Sequence, residues 1–290
     1  MKPKIGVVGV PEGWSSEELA DKIAEKTGFR LLIDMGKTRL DLTTGKVCFD
    51  GHDLSQLDAI IIKKVGSRYS PDLLDRLEVL RYLHEKGVKM FSKPLSIIRL
   101  LDRLSCTVTL SSGDIPMPPT VITEDIQLAA ESITEFGEAV LKPLFSTKAR
   151  GMLVLNKTDD LESQLSNFKK DNNTMYIQKK IELPEYDLGV VFLGGEYLTT
   201  YARKITNGAW NTTTNSGGKY APHTPSPEII ELACRAQSLF DLDFTCVDIA
   251  ETETGPIVFE VSAFGGFRGV LSTSGIDAAS RYTDYVLKSI

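Results

Sequence analysis

The sequence predicts an α/β chain whose first third is a doubly wound parallel sheet and whose remainder is α+β. Three observations carry that prediction. Short apolar runs alternate with helix-like segments over residues 5–91, which is the pattern of parallel strands joined by crossover helices. A joint rich in Pro and Gly interrupts the alternation at residues 111–120, and from Asp187 onward strand-like runs dominate.

Each element has its own signal. Residues 5–10 read as a buried strand closed by Pro11 and Gly13. Ser15 and Ser16 can cap a helix whose first turn holds Glu17 and Glu18, where acids suit the positive end of the dipole. Leu19 and Ile23 mark its inner face and Gly28 its stop. Residues 29–35 form a second strand, and 39–49 a hairpin about Thr43-Thr44-Gly45-Lys46. A third strand at 59–65, a helix at 71–86 and a fourth strand at 88–91 complete the alternation. Pro94 opens a helix to residue 110. Beyond the joint come strand 119–122, helix 125–136, strands 138–144 and 151–156, helix 158–170 and strand 174–181. Strands 188–193 and 196–205, a polar loop at 206–219, a helix at 226–240, a hairpin at 244–262, a Gly-rich loop and a helix from Ile276 finish the chain. The expected division is a sheet domain at 1–95 and a second domain at 96–290. Within the latter, 119–181 make a small α+β subdomain, while 96–118 and 182–290 make a larger one.

Composition narrows the function. The chain has 290 residues with a net charge of −6, which argues against general nucleic-acid or anionic-membrane binding, since both need a basic face. No apolar run approaches the roughly 20 residues of a membrane span. Four scattered cysteines without a CxxC pair, and three histidines, argue against a thiolate or imidazole zinc site. The opening residues lack the apolar core of a signal peptide, so a cytoplasmic location is expected.

The most informative segment is 244–262. Two strand-like runs flank Glu251-Thr252-Glu253-Thr254-Gly255-Pro256, which is turn chemistry. Paired about that turn, Asp248 faces Glu260, Val247 meets Val261 and Ile249 meets Phe259. Alternation then puts Asp248, Glu260 and Ser262 on one face. Two carboxylates and a hydroxyl gathered there suit Mg²⁺, a hard ion that keeps waters and phosphate oxygens in its shell. The other reading is the wet face of a half-exposed hairpin. Lys142, at the end of Ala139-Val140-Leu141, is either a fixed cation for phosphate or the point where a strand meets water. The small-residue loop around Lys148 and Arg150 could fold over polyphosphate, but it holds too few glycines for a P-loop. The connector after Tyr176 could read an adenine edge, and Asp187 could meet a ribose hydroxyl or cap a turn. In the loop Ala263–Gly269, Arg268 could hold a carboxylate bidentately, or the loop could be an ordinary connection. Cys106 and Cys246 sit in apolar surroundings and read as packing residues.

In order along the chain, Asp102-Arg103, Leu141-Lys142-Pro143, the basic loop, Gln178, Asp187, Arg203, Asn211-Thr212-Thr213, Asp248 and Glu260-Val261-Ser262 resemble the ATP-grasp superfamily. The match is to its RimK-like branch, which holds carboxylate–amine ligases and relatives of glutathione synthetase. The resemblance covers nearly the whole chain. It implies an ATP-grasp fold in which a Rossmann-like domain precedes two α+β subdomains that clamp nucleotide. It also implies an ATP-dependent ligase that activates a carboxylate as an acyl phosphate and joins it to an amine. Small-molecule or peptide-terminus substrates follow, as does a homodimer or homotetramer. By similarity, Arg103, Lys142, Lys148 and Arg150 meet phosphates, and Gln178, Lys179 and Ile181 meet adenine. Asp187 meets ribose, Asn211 and Thr213 lie in the nucleotide loop, and Arg203 neutralises the transferred charge. Asp248, Glu260 and Ser262 then bind Mg²⁺, or Mn²⁺ in its place.

The chain departs from the family's pattern at four places. Arg103 stands for Lys, Gly189 for Arg, Asn211 and Thr213 for Arg and Asn, and Ser262 for Asn. Two other readings stand beside the ligase. One is a nucleotide-binding regulator that releases no ADP; the other is a kinase that releases ADP without an amine.

Overall fold

The computed structural model describes residues 2–147, 149–205 and 218–290. Its first layer is a four-stranded sheet of β1 (Ile5–Val8), β2 (Leu32–Ile33), β6 (Ala59–Ile62) and β7 (Lys89–Phe91), in the order β2-β1-β6-β7 with every pairing parallel. Helices cover both faces, because the strand residues are apolar in both directions. Val7 and Ile61 pack with Leu19 and Ile23 of α1 (Trp14–Thr27), whereas Ile60 and Ile62 pack with Leu77 and Leu80 of α2 (Asp72–Glu85). The expected hairpin forms as β3 (Arg39–Asp41) and β4 (Lys46–Phe49), extended by a third strand, β5 (His52–Asp53). The second strand is shorter than 29–35, since Asp34 accepts from Gly36 N and starts a 3-10 turn at Met35.

The helix expected from Pro94 to 110 is instead two helices, α3 (Pro94–Ile98) and α4 (Arg103–Ser112). Asp102 causes the break by capping α4, accepting from Ser105 N at 2.8 Å and Ser105 Oγ at 2.6 Å. A small antiparallel sheet follows in the order β10-β9-β11-β8, made of β8 (Thr120–Thr123), β9 (Glu138–Lys142), β10 (Leu153–Asn156) and β11 (Met175–Lys179). One face packs on α5 (Ile126–Phe136) and α6 (Leu161–Lys169) through Ala139, Leu141, Ile177 and Met175. By alternation, Lys142, Tyr176 and Gln178 take the opposite face.

The third layer runs β14-β13-β12-β15-β16, all antiparallel: β12 (Tyr186–Leu193), β13 (Glu196–Lys204), β14 (Lys219–Pro222), β15 (Phe244–Thr252) and β16 (Gly255–Ser262). β14 begins at the last residue of the expected polar loop, most of which lies outside the described residues. Leu188 and Val190 turn toward α7 (Pro227–Ser238), leaving Asp187 and Gly189 on the other face. The final loop is shorter than expected: α8 (Phe267–Ser274) starts inside it, and α9 (Ala278–Ser289) then packs against α1. Among the described residues no helix is long and apolar enough to cross a membrane.

Hairpin β15–β16 pairs Val247 with Val261 and Asp248 with Glu260 as expected, but Ile249 pairs with Val258. Phe259 is the extra residue of a β-bulge. Such an insertion interrupts the ladder locally, bends the strand and re-aims a side chain, and the Phe259 ring lies in the cleft rather than the core.

Candidate active site

A cleft of about 790 Å³ opens where the three layers meet, within the range that takes a nucleotide-sized ligand. Its floor is one face of the large sheet, and strand register dictates what that face presents. Asp187 pairs with Arg203, Gly189 with Tyr201 and Asp248, Cys246 with Ser262, and Asp248 with Glu260.

Arg203 organises this floor. Its Nε donates to Asp187 Oδ1 at 2.9 Å and its Nη2 to Asp187 Oδ2 at 2.7 Å, while Nη2 lies 3.1 Å from Asp248 Oδ2. Burial raises the Asp248 carboxyl to about 7; Arg203 opposes that rise, and Glu260 and Asp187 add to it. Arg103, at the start of α4, reaches Glu260 Oε2 at 3.3 Å through Nη1 and the Ser146 carbonyl at 3.3 Å through Nη2. Its Nε is buried with no hydrogen-bond partner among the described residues.

From the small sheet, Lys142 Nζ donates to Gln178 Oε1 at 2.5 Å and sits 5.5 Å from the centre of the Phe259 ring. Burial, with Arg103 close by, brings Lys142 down to about 7. The Gln178 amide is 2 % exposed and donates to Thr120 Oγ1 at 3.0 Å and Tyr176 OH at 3.2 Å. Gln178 thus aims Lys142. Lys179 and Ile181 line the same end.

Not every expected residue reaches the cleft. Arg150 folds onto its own loop, donating to the Thr147 carbonyl and to Thr147 Oγ1, and does not line the cleft. Its guanidinium finds its hydrogen bonds within the loop. Lys148, Asn211 and Thr213 lie outside the described residues. Arg268 sits in the first turn of α8, its Cζ 5.2 Å from the centre of the Trp14 ring, and both line the cleft.

The sequence reading missed Lys63. This lysine follows β6, is 5 % exposed, and donates to the Gly265 carbonyl at 2.5 Å with its Nζ 4.2 Å from the Phe267 ring centre. Burial, then the neighbouring Lys64, brings it down to about 7. The signal was available, since ligands of parallel sheets gather at the carboxyl ends of strands.

The residues suit a nucleotide and a hard cation. Among the described residues no three His, Cys, Asp or Glu side chains form a metal cage, but Asp248 and Glu260 supply the two carboxylates that Mg²⁺ needs when phosphate and water complete its shell. In the structure Arg203 and Arg103 neutralise those carboxylates. The unpartnered Arg103 Nε and the cation of Lys142 suit phosphate oxygens.

The model of the RimK-like ATP-grasp domain matches residues 101–286. Tetrahydromethanopterin:alpha-L-glutamate ligase of Methanosarcina acetivorans is 24% identical over 318 residues, covering 98% of this chain and 98% of that protein. The ribosomal protein bS6--L-glutamate ligase of Escherichia coli is 27% identical over 256 residues, covering 83% of each. In fold, the chain is similar to the ATP-grasp ligase PsnB complexed with a phosphomimetic variant of a minimal precursor, Mg and ADP. The TM-score is 0.77 at 16% identity, over 100% of this chain and 99% of that one.

Proposed function

The chain belongs to the RimK-like ATP-grasp family of ATP-dependent carboxylate–amine ligases, and from that premise we propose that its amine substrate is L-glutamate and that Mg²⁺ binds between Asp248 and Glu260. The glutamate reading is supported by the names of the relatives. The metal reading is supported by the cross-strand carboxylate pair, each member held by an arginine; this is the single observation that carries the site. We further propose that residues 1–95 serve the substrates and 96–290 the nucleotide, and that the enzyme works in the cytoplasm.

A carboxylate at neutral pH is a poor electrophile. Transfer of the γ-phosphoryl group to its oxygen releases ADP and leaves an acyl phosphate; the amine then attacks the acyl carbon, phosphate departs and the amine's proton goes to solvent. Phosphoryl transfer asks the protein mainly for position and opposite charge. Lys142, aimed by Gln178, would hold the α- and β-phosphates, and the segment after Phe145 would cover them. The backbone about Lys179 and Ile181 would meet adenine, and Asp187 the ribose. Bound Mg²⁺, or Mn²⁺ with the same oxygen preference, would neutralise the β- and γ-oxygens. Arg203 would hold the transferred charge while orienting Asp248, and Ser262 would supply a neutral oxygen.

ADP release measured with and without L-glutamate, over a panel of carboxylate substrates, tests the reading. Release that requires both substrates supports it. Release without any amine would make the protein a kinase, and none with any pair would make it a nucleotide-binding regulator.

A further inference from the structure

Three arginines line the cleft, and they differ in what they face. Arg103 meets Glu260, and Arg203 meets Asp187 and Asp248. Arg268 has no ion pair among the described residues; its guanidinium lies over the Trp14 ring instead. This contact uses the face charge of the indole and none of the guanidinium N–H donors, which leaves them free, at an exposed position, for a planar anion.

The placement of Arg268 is built into the packing. A Cβ at Gly189 would stand 2.5–2.7 Å from Tyr201 Cζ, Cε2 and OH, so the Tyr201 ring lies flat over that glycine. Tyr220 meets Tyr201 edge to face at 5.2 Å. On the far side, a Cβ at Gly269 would stand 2.9 Å from Tyr201 Cε1 and 3.0 Å from Tyr220 Cε1. Only glycine lets α8 sit this close to the two rings, and that contact sets Arg268, one residue earlier, at the cleft wall. Burial raises the Tyr220 hydroxyl above its usual value; Arg203 opposes that rise, and Arg268 is close enough to oppose it slightly. Lys63, the buried cation beside this end, is already bound to the Gly265 carbonyl.

We infer that Arg268, beside Trp14 on the cleft wall, takes the side-chain carboxylate of an acidic amino-acid substrate and so determines specificity for it. The inference rests on the ligase reading and names what that reading leaves open: the group by which an acidic substrate is told from its neutral amide. A free guanidinium edge pairs with a carboxylate through two parallel charge-assisted bonds, which an amide cannot match.

The test is calorimetric titration of L-glutamate and of L-glutamine into protein held with Mg²⁺ and a non-hydrolysable ATP analogue, using wild type, Arg268→Gln and Arg268→Lys. Wild type is expected to bind L-glutamate about tenfold or more tightly than L-glutamine. Arg268→Gln should bring the ratio to about one by weakening L-glutamate alone, and Arg268→Lys should recover part of it. Analogue affinity, measured separately, reports that each variant is folded. Equal loss for both amino acids, or L-glutamate binding that Arg268→Gln leaves unchanged, would overturn the assignment while leaving the ligase reading intact. Wild type that binds neither amino acid would overturn the glutamate reading and this assignment with it.

Discussion

The two ends of the cleft treat charge in opposite ways. At the Lys142 end every guanidinium already touches a carboxylate, and Lys142 itself is held by a neutral amide. At the α8 end Arg268 rests on an aromatic ring without a counter-ion among the described residues. The first end is balanced before anything binds, so on the proposed reading a ligand there would exchange partners: a dication for the carboxylates and phosphates for the arginines and the lysine. A metal–nucleotide complex brings both at once, and neither half alone keeps the balance. The second end carries a guanidinium without a counter-ion among the described residues, so an anion could bind there without displacing one.

The comparison can be broken most forcefully at Arg203. Arg203→Met would leave Asp187 and Asp248 buried without their partner, at a cost of about 3–5 kcal/mol. Thermal melts should show the loss, and Mg²⁺ should restore more stability to the variant than to wild type. An unshifted melt would mean that the floor is not balanced by this residue. Next is Glu260→Gln, which should weaken Mg²⁺-dependent binding of an ATP analogue by about 100-fold with the fold intact. Unchanged affinity in Mg²⁺ would remove Glu260 from the metal site.

The smallest effect is a pH dependence at Lys63. Its folded value near 7 lies below its usual 10.5, so between these the unfolded chain holds a proton that the folded chain has released. Stability contributed by this residue therefore rises with pH across that window. Wild type should gain on the order of 1–3 kcal/mol more than Lys63→Met between pH 7 and pH 10, as denaturant melts would show. Parallel curves would contradict the burial of a cation there.

Much of the Lys142 end could be read from the chain, because its logic is local. Alternation along β15 and β16, with an obvious turn between them, brings Asp248 opposite Glu260 without any tertiary knowledge. The same register argument failed one residue on, since nothing in Ile257-Val258-Phe259 marks which residue bulges. Asp102 and Ser105 carry the signature of a helix cap, yet the apolar spacing across 94–110 hides the break. The α8 end was harder because its parts are far apart in sequence. Trp14 comes from the first helix, Tyr201 from β13 and Arg268 from the last third, and they meet only because two glycines let a tyrosine ring lie between β12 and α8. Arg150 shows the converse: a basic residue in a promising loop can satisfy itself within that loop.

Calorimetric titration of a non-hydrolysable ATP analogue, with and without Mg²⁺, into wild type and Lys142→Ala tests most directly whether the balanced end is a nucleotide site. Binding that requires Mg²⁺ in wild type and falls by about tenfold or more in the variant is the expected result. Equal affinity in the variant, or no binding by folded wild type, would contradict it.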